Sequence, residues 1–269
     1  MRRRATKPQI ALTIGLLAVL VAAGYWWAPH IWWKYLIARN GAKIPRVEVS
    51  ALEAPGQTSG WFTCRIGALS FRLPPEMAED AERSVAKDRN AIILKTPSGE
   101  LLIFFPFRAR KGAETELVQV AARLNLSPVQ FLADAYRAST DDFRWTMSHA
   151  ELQRHQILLN VQFMYPHTAG TKVETQFDGP LEGLLAVHDR TRAIFEWNAK
   201  SGAAAGFVGF TSTAGDLNLD HVRDICASVT CDDAKLGQEP TKSELAELVD
   251  TMEITRDAGQ AVPDVLKLR

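Results

Sequence analysis

The sequence predicts an α+β protein, with one N-terminal transmembrane helix followed by a domain whose mainly antiparallel sheet packs against helices. Three observations carry this. An uncharged apolar run near the N-terminus is long enough to cross a bilayer. Residues 171–212 alternate apolar and polar side chains between short turn signals, as an antiparallel meander does. The patterns follow one another as strands, helices, meander and helix.

The apolar run is bounded by Arg2, Arg3, Arg4 and Lys7 on one side, and from Ile10 to Ala28 only Thr13 is plainly polar. About 20 helical residues span the hydrocarbon core, so residues 10–28 meet the bilayer lipid. Trp26, Trp27, Trp32 and Trp33 follow, with Tyr25 and Tyr35. Indole rings favour the membrane–water interface, so the four tryptophans read as an interfacial belt and residues 1–38 as an anchor. The stretch Ile31–Ile37 is expected to lie along the interface. The competing reading is a signal peptide cleaved near Ala23, after Val21-Ala22-Ala23, which would leave a secreted protein. The first basic cluster favours a cytoplasmic N-terminus and a periplasmic body; Lys34, Arg39, Lys43 and Arg46 blunt that bias.

Formal charge is balanced over the 269 residues, but unevenly distributed. Residues 1–46 hold eight of the 31 basic and none of the 31 acidic residues, which leaves the body at −8. An acidic body argues against a nucleic-acid partner. Apolar (46%) and charged (23%) fractions are those of a globular chain.

Residues 39–60 read as a connector punctuated by Gly41, Pro45, Pro55, Gly56 and Gly60. A globular domain over 61–231 opens with one or two strands in Trp61–Leu73, then a polar helix or loop over Glu76–Lys87. Ala91–Lys95 and Leu101–Phe107 form a hairpin around Thr96-Pro97-Ser98-Gly99-Glu100. Helices follow at about 114–124 and 128–139, the second opened by Ser127, Pro128 and Gln130 as a capping box. Residues 148–160 suit a third helix, although Leu159, Val161, Phe163 and Tyr165 alternate as in a strand. In the meander, Val173, Thr175 and Phe177 alternate with Glu174 and Gln176; Leu181–His188, Ala193–Asn198 and Ala204–Thr211 continue it. Asp216–Val229 is helical by its apolar spacing. Residues 232–269 read as a polar extension lying off the domain, with one helix capped by Thr241 and Glu244 and running to about Thr255.

The early strand ending at Ile66–Pro74, the meander and the closing helix LNLDHVRDICASV together resemble the Mog1/PsbP-like architecture and uncharacterised membrane-anchored bacterial domains. The resemblance implies a fold used for binding and assembly and transfers no active site.

No motif for catalysis, metal or cofactor stands out, and no catalytic, cofactor-binding or metal-binding residue is nominated. Cys64, Cys226 and Cys231 suit one disulfide, from Cys64 to Cys226 or Cys231, if the body lies in an oxidising compartment; buried free thiols are the plainer alternative. His221 with Cys226 and Cys231 has no zinc spacing. His149 and His155 diverge on a helix, and His221 with Asp224 suits a surface ion pair. Arg190 and Arg192 sit in a turn that suits an anion or plain solvent. Residues 117–139 have the rhythm of a helix-turn-helix, but only Gln130 and Arg137 would read DNA, and Asp134, Asp141 and Asp142 oppose it. The expected function is therefore a membrane-anchored, non-enzymatic interaction or assembly module of a bacterial cell envelope with a protein partner. The first alternative is a lipid or small-ligand pocket lined by Phe104, Phe163, Phe195 and Trp197, and the second is a membrane-tethered helix-turn-helix regulator.

Overall fold

A computed structural model describes residues 7–40, 44–54, 56, 58–87, 90–97, 99–104, 116–164, 170–177, 181–200, 205–235 and 240–256. In chain order these form α1 (Lys7–Asn40), β1 (Val49–Ala51), β2 (Phe62–Ile66), β3 (Leu69–Leu73), α2 (Pro75–Ala78), β4 (Glu82–Val85), β5 (Ala91–Thr96) and β6 (Gly99–Phe104). They continue as α3 (Glu116–Arg123), α4 (Pro128–Arg137), α5 (His149–Met164), β7 (Lys172–Gln176), β8 (Leu181–Asp189), β9 (Arg192–Ala199) and β10 (Ala205–Ser212). The last are α6 (Leu219–Ser228), β11 (Thr230–Cys231), α7 (Lys242–Asp250) and β12 (Glu253–Arg256). The protein is α+β with a mainly antiparallel main sheet. The Arg2–Arg4 cluster, residues 105–107 and 114–115, Tyr165, the tail from 257 and the side chains of Phe104 and Phe163 lie outside the described residues.

Two compact units divide the chain: residues 1–46 with 138–165, and residues 47–137 with 166–269. In the first, α1 is an unbroken helix of 34 residues containing Pro29. Its stretch Gly15–Ala38 is long and apolar enough to cross a membrane, as a signal sequence would also be. The helix runs on through Ile31–Ile37, so no separate interfacial segment forms there. Pro29 lacks the N–H that would reach the Tyr25 carbonyl. One residue on, the Trp26 carbonyl faces His30 Nδ1 at 3.0 Å and His149 Nε2 at 3.2 Å, so the backbone beside the proline finds side-chain partners.

Beyond α1 the chain is stitched to residues 139–142. The Ser139 hydroxyl donates to the Ile44 carbonyl at 3.0 Å, and Arg46 pairs with Asp142. α5 starts at a capping box in which the Ser148 N–H donates to Glu151 at 2.7 Å and the Glu151 N–H donates to Ser148 Oγ at 3.2 Å. Those bonds set where the helix begins, and it runs on to Met164 through the alternating Leu159 and Val161.

The second unit holds an eight-stranded sheet in the order β1-β7-β8-β9-β10-β6-β5-β4 and a four-stranded sheet in the order β11-β3-β2-β12. All neighbours are antiparallel except β1 and β7. β7 to β10 form the expected meander, and β5–β6 the expected hairpin. At the hairpin's closing pair a Cβ on Gly99 would stand 2.2 Å from the Thr211 carbonyl, so β6 and β10 approach this closely only with glycine.

Alternation along β8, β9, β10, β6 and β5 places Leu185, Phe195, Val208, Ile103 and Ile92 in one register row. They enter a core shared with Val222 and Ile225 of α6 and with Cys64, Ile66 and Phe71 of the small sheet. The opposite face of the meander carries α4, whose Val129, Phe131, Leu132, Ala135 and Tyr136 are buried.

Four expectations are corrected. Residues 232–269 are not wholly an extension off the domain: Leu245, Met252 and Ile254 belong to the core, and β12 pairs with β2. The polar stretch Glu76–Lys87 contains the short α2 and the edge strand β4. The last helix ends at Asp250, because the residues that follow turn into β12. The connector 39–60 likewise supplies β1.

Candidate interaction site at the edge of the large sheet

β1 and β4 are the two edges of the eight-stranded sheet; β4 packs with α7, and just ahead of β1 the Val47 N–H donates to the Tyr136 carbonyl of α4 at 3.0 Å. The Glu48 backbone carbonyl accepts from the Val173 N–H at 3.3 Å, and the Leu52 N–H donates to the Thr175 backbone carbonyl at 2.8 Å. A strand bonds to each side alternately, so Ser50 also faces β7 while Val49 and Ala51 turn their N–H and C=O groups outward. Ser50 and Ala51 are exposed.

Beside this edge lies an open groove of about 470 Å³ lined by Ser50, Ala51, Glu53, Ala54, Glu174, Asp220 and Arg223. A fork forms one part of its lining. Arg223 Nη2 donates to Glu174 at 2.6 Å and Nε donates to the same carboxylate at 2.9 Å. Glu174 is buried, and Asp220 takes a further bond from Arg223 at 3.1 Å. These carboxylates hold the Arg223 guanidinium firmly protonated. Asp224, one residue on, is buried and accepts the Gly56 N–H at 2.8 Å, which ties the segment after β1 to α6. Arg223 is shared between Glu174 and Asp220, so the groove's three carboxylates, Glu53, Glu174 and Asp220, face a single cation and leave its rim acidic.

The residues singled out from sequence fall elsewhere. No disulfide joins Cys64, Cys226 and Cys231. Burial pushes the Cys64 thiol far up, and burial together with the Glu174 carboxylate does the same to Cys226, so neither supplies a thiolate. Among the described residues no group of three or more His, Cys, Asp or Glu side chains is placed to hold a metal ion. His221 pairs with Glu76 at 2.9 Å and sets its ring against Trp61, not with Asp224. Arg192 pairs with Asp189 at 3.0 Å and Arg190 with Asp216 at 3.7 Å, so both already face carboxylates. Thr191, through its hydroxyl and N–H, is the main cause that holds Asp189 down at about 2. The helix-turn-helix rhythm resolves into α3 and α4 with the Ser127–Gln130 capping box in place, and α4 spends its apolar face on the sheet.

Trp26, Trp27 and Trp32 are exposed, whereas Trp33 is buried and meets the His155 ring edge-on at 6.3 Å. Trp33 therefore packs inside the first unit instead of joining the belt. Phe195 and Trp197 are fully buried, and their rings fill the space over Gly183 and Gly206.

Glu196 was invisible to motif reading. It lies on β9 between Leu184 of β8 and Phe207 of β10, and burial lifts its carboxyl above the ordinary glutamate value. The folded state then holds the proton more tightly than the unfolded chain. Its contribution to stability is full below the ordinary glutamate value and is lost as pH rises through the folded one. Glu196→Gln is accordingly expected to stabilise the protein at about pH 8 by on the order of 1 kcal/mol, with little gain at about pH 4. Urea unfolding of both proteins at the two pH values measures the gap; an equal gap at both would show that Glu196 is not desolvated.

No protein-family model, curated protein or solved structure matches the chain. Fold and site define an α+β protein with one helix fit to cross a membrane and an open sheet edge beside an acidic groove.

Proposed function

We propose that the protein is a membrane-anchored, non-enzymatic interaction module of the cell envelope. Its body lies outside the cytoplasm, and β1 captures an extended segment of a protein partner. The observation that carries the reading is the exposed β1 edge, with the outward N–H and C=O groups of Val49 and Ala51 beside the groove. An unpaired edge is a template for another strand, and side chains that alternate along the added strand settle in a flanking groove. The acidic rim favours a segment carrying Lys or Arg. The exposed apolar surface of α1 supplies the tether.

A photo-crosslinking amino acid at Ser50 of the full-length protein, irradiated in native membranes, is expected to give one discrete adduct. Ala51→Pro removes an outward N–H without touching the bonds to β7, and should abolish that adduct while leaving the folded signal in circular dichroism. No adduct from Ser50, or equal labelling from a probe at the exposed Lys95, would overturn the reading.

A further inference from the structure

Large apolar side chains exposed among the described residues lie on α1 from Leu16 to Tyr35, with one exception, Trp145. Trp145 sits in the loop between α4 and α5, more than a hundred residues along the chain from α1. The fold brings it alongside the helix. Its ring lies 5.8 Å from Trp27 and 6.4 Å from His30, and Phe143 supports it edge-on at 5.2 Å. The loop is tied to α1 by polar contacts as well. His30 Nε2 lies 2.9 Å from the Met147 carbonyl, and Lys34 stands over the Phe143 ring at 5.1 Å.

From this geometry we infer that the loop 143–147 is a second membrane contact, with Trp145 placed in the membrane–water interface beside Trp26 and Trp27. The inference rests on the reading of α1 as a membrane anchor. Lipid is the occupant because the exposed Trp145 ring continues the exposed apolar surface of α1 at the level of Trp27. A tryptophan there keeps its body among the upper acyl chains and its N–H in the headgroup layer. The loop backbone suits the site, because the Met147 N–H donates to the Arg144 carbonyl at 3.2 Å and the Met147 carbonyl faces His30. A helix alone leaves rotation about its axis free; a second contact to one side fixes which way the first unit faces the bilayer.

The test uses the full-length protein carrying Cys231→Ser, reconstituted in phosphatidylcholine–phosphatidylglycerol vesicles. A nitroxide is attached through Trp145→Cys, with Leu20→Cys and Lys95→Cys as reference sites. The ratio of oxygen to water-soluble nickel-chelate collision rates is then read by power-saturation spectroscopy. At position 145 it is expected to exceed the Lys95 ratio by roughly threefold and to stay below the Leu20 ratio, as an interfacial depth requires. A water-like ratio at 145 with a lipid-like ratio at 20 overturns this inference alone. A water-like ratio at both sites overturns the anchor reading and the inference with it. A label at 145 shielded from both reagents would place a protein surface there and also overturn it.

Because the substitution removes the ring under test, brominated lipid supplies an independent measurement. The fluorescence lost in Trp145→Phe must be a component that brominated vesicles quench in the unsubstituted protein. An unquenched component overturns the inference.

Discussion

Trp197→Ala is expected to lower the unfolding free energy by about 4 kcal/mol, within the range for truncating a fully buried aromatic side chain. Trp197 is among the largest fully buried residues, and its register partners on β8 and β10 are Gly183 and Gly206. A Cβ on Gly206 would lie 2.7 Å from the indole, and one on Gly183 would lie 2.4 Å from the Phe195 ring. The aromatic rings thus occupy volume that neighbouring strands leave empty. Removing the indole opens a cavity that two glycines cannot refill, which places the cost high in the usual range.

Trp197→Phe should behave differently. The indole Nε1 is buried without a hydrogen-bond partner. Replacing Trp by Phe gives up part of the ring but also removes an unsatisfied donor, whose burial costs about 1–3 kcal/mol. The net loss should stay under about 1.5 kcal/mol. Urea unfolding of the full-length variants in detergent, followed by near-ultraviolet circular dichroism, measures both. A Phe variant as unstable as the Ala variant would mean that Nε1 makes a bond that matters.

The second large effect belongs to Glu174 and Arg223. Either Glu174→Leu or Arg223→Met alone is expected to cost about 3 kcal/mol, because each leaves a charge in a shielded place without its partner. Side-chain exposure is 8% for Glu174 and 27% for Arg223, so the stranded carboxylate should be the worse case. The double variant should cost less than the Arg223 variant alone, since two apolar side chains leave no stranded charge. Additive losses would show that the fork does not couple the two residues. The same variants report on the groove: Arg223→Met frees a carboxylate beside β1, and its proposed partner should respond if it carries a basic side chain.

Local chemistry was legible in the sequence. The apolar run of α1 needs only its composition and length. The caps Ser127–Gln130 and Thr241–Glu244 close over three residues, so their bonds form where the spacing places them. The hairpin at Pro97 and the meander follow from turn residues and a two-residue alternation. The alternation identified β7 as a strand, yet it did not tell which face would be buried. Val173 and Thr175 face the side that carries α4, and Glu174, expected outward, is buried as well because Arg223 arrives from α6 to neutralise it.

What the sequence by itself determined is therefore the α+β class, a helix fit to cross a membrane and most elements of the meander, since each depends on residues within a few positions of one another. Only the tertiary structure decided that β1 joins β7, that β12 joins β2, that Trp33 is buried while Trp32 is exposed, and that Trp145 stands beside Trp27. Each of those outcomes depends on a partner far along the chain. A local pattern names the face a residue belongs to, but the element that covers that face sets whether the residue is buried, paired or left for another molecule.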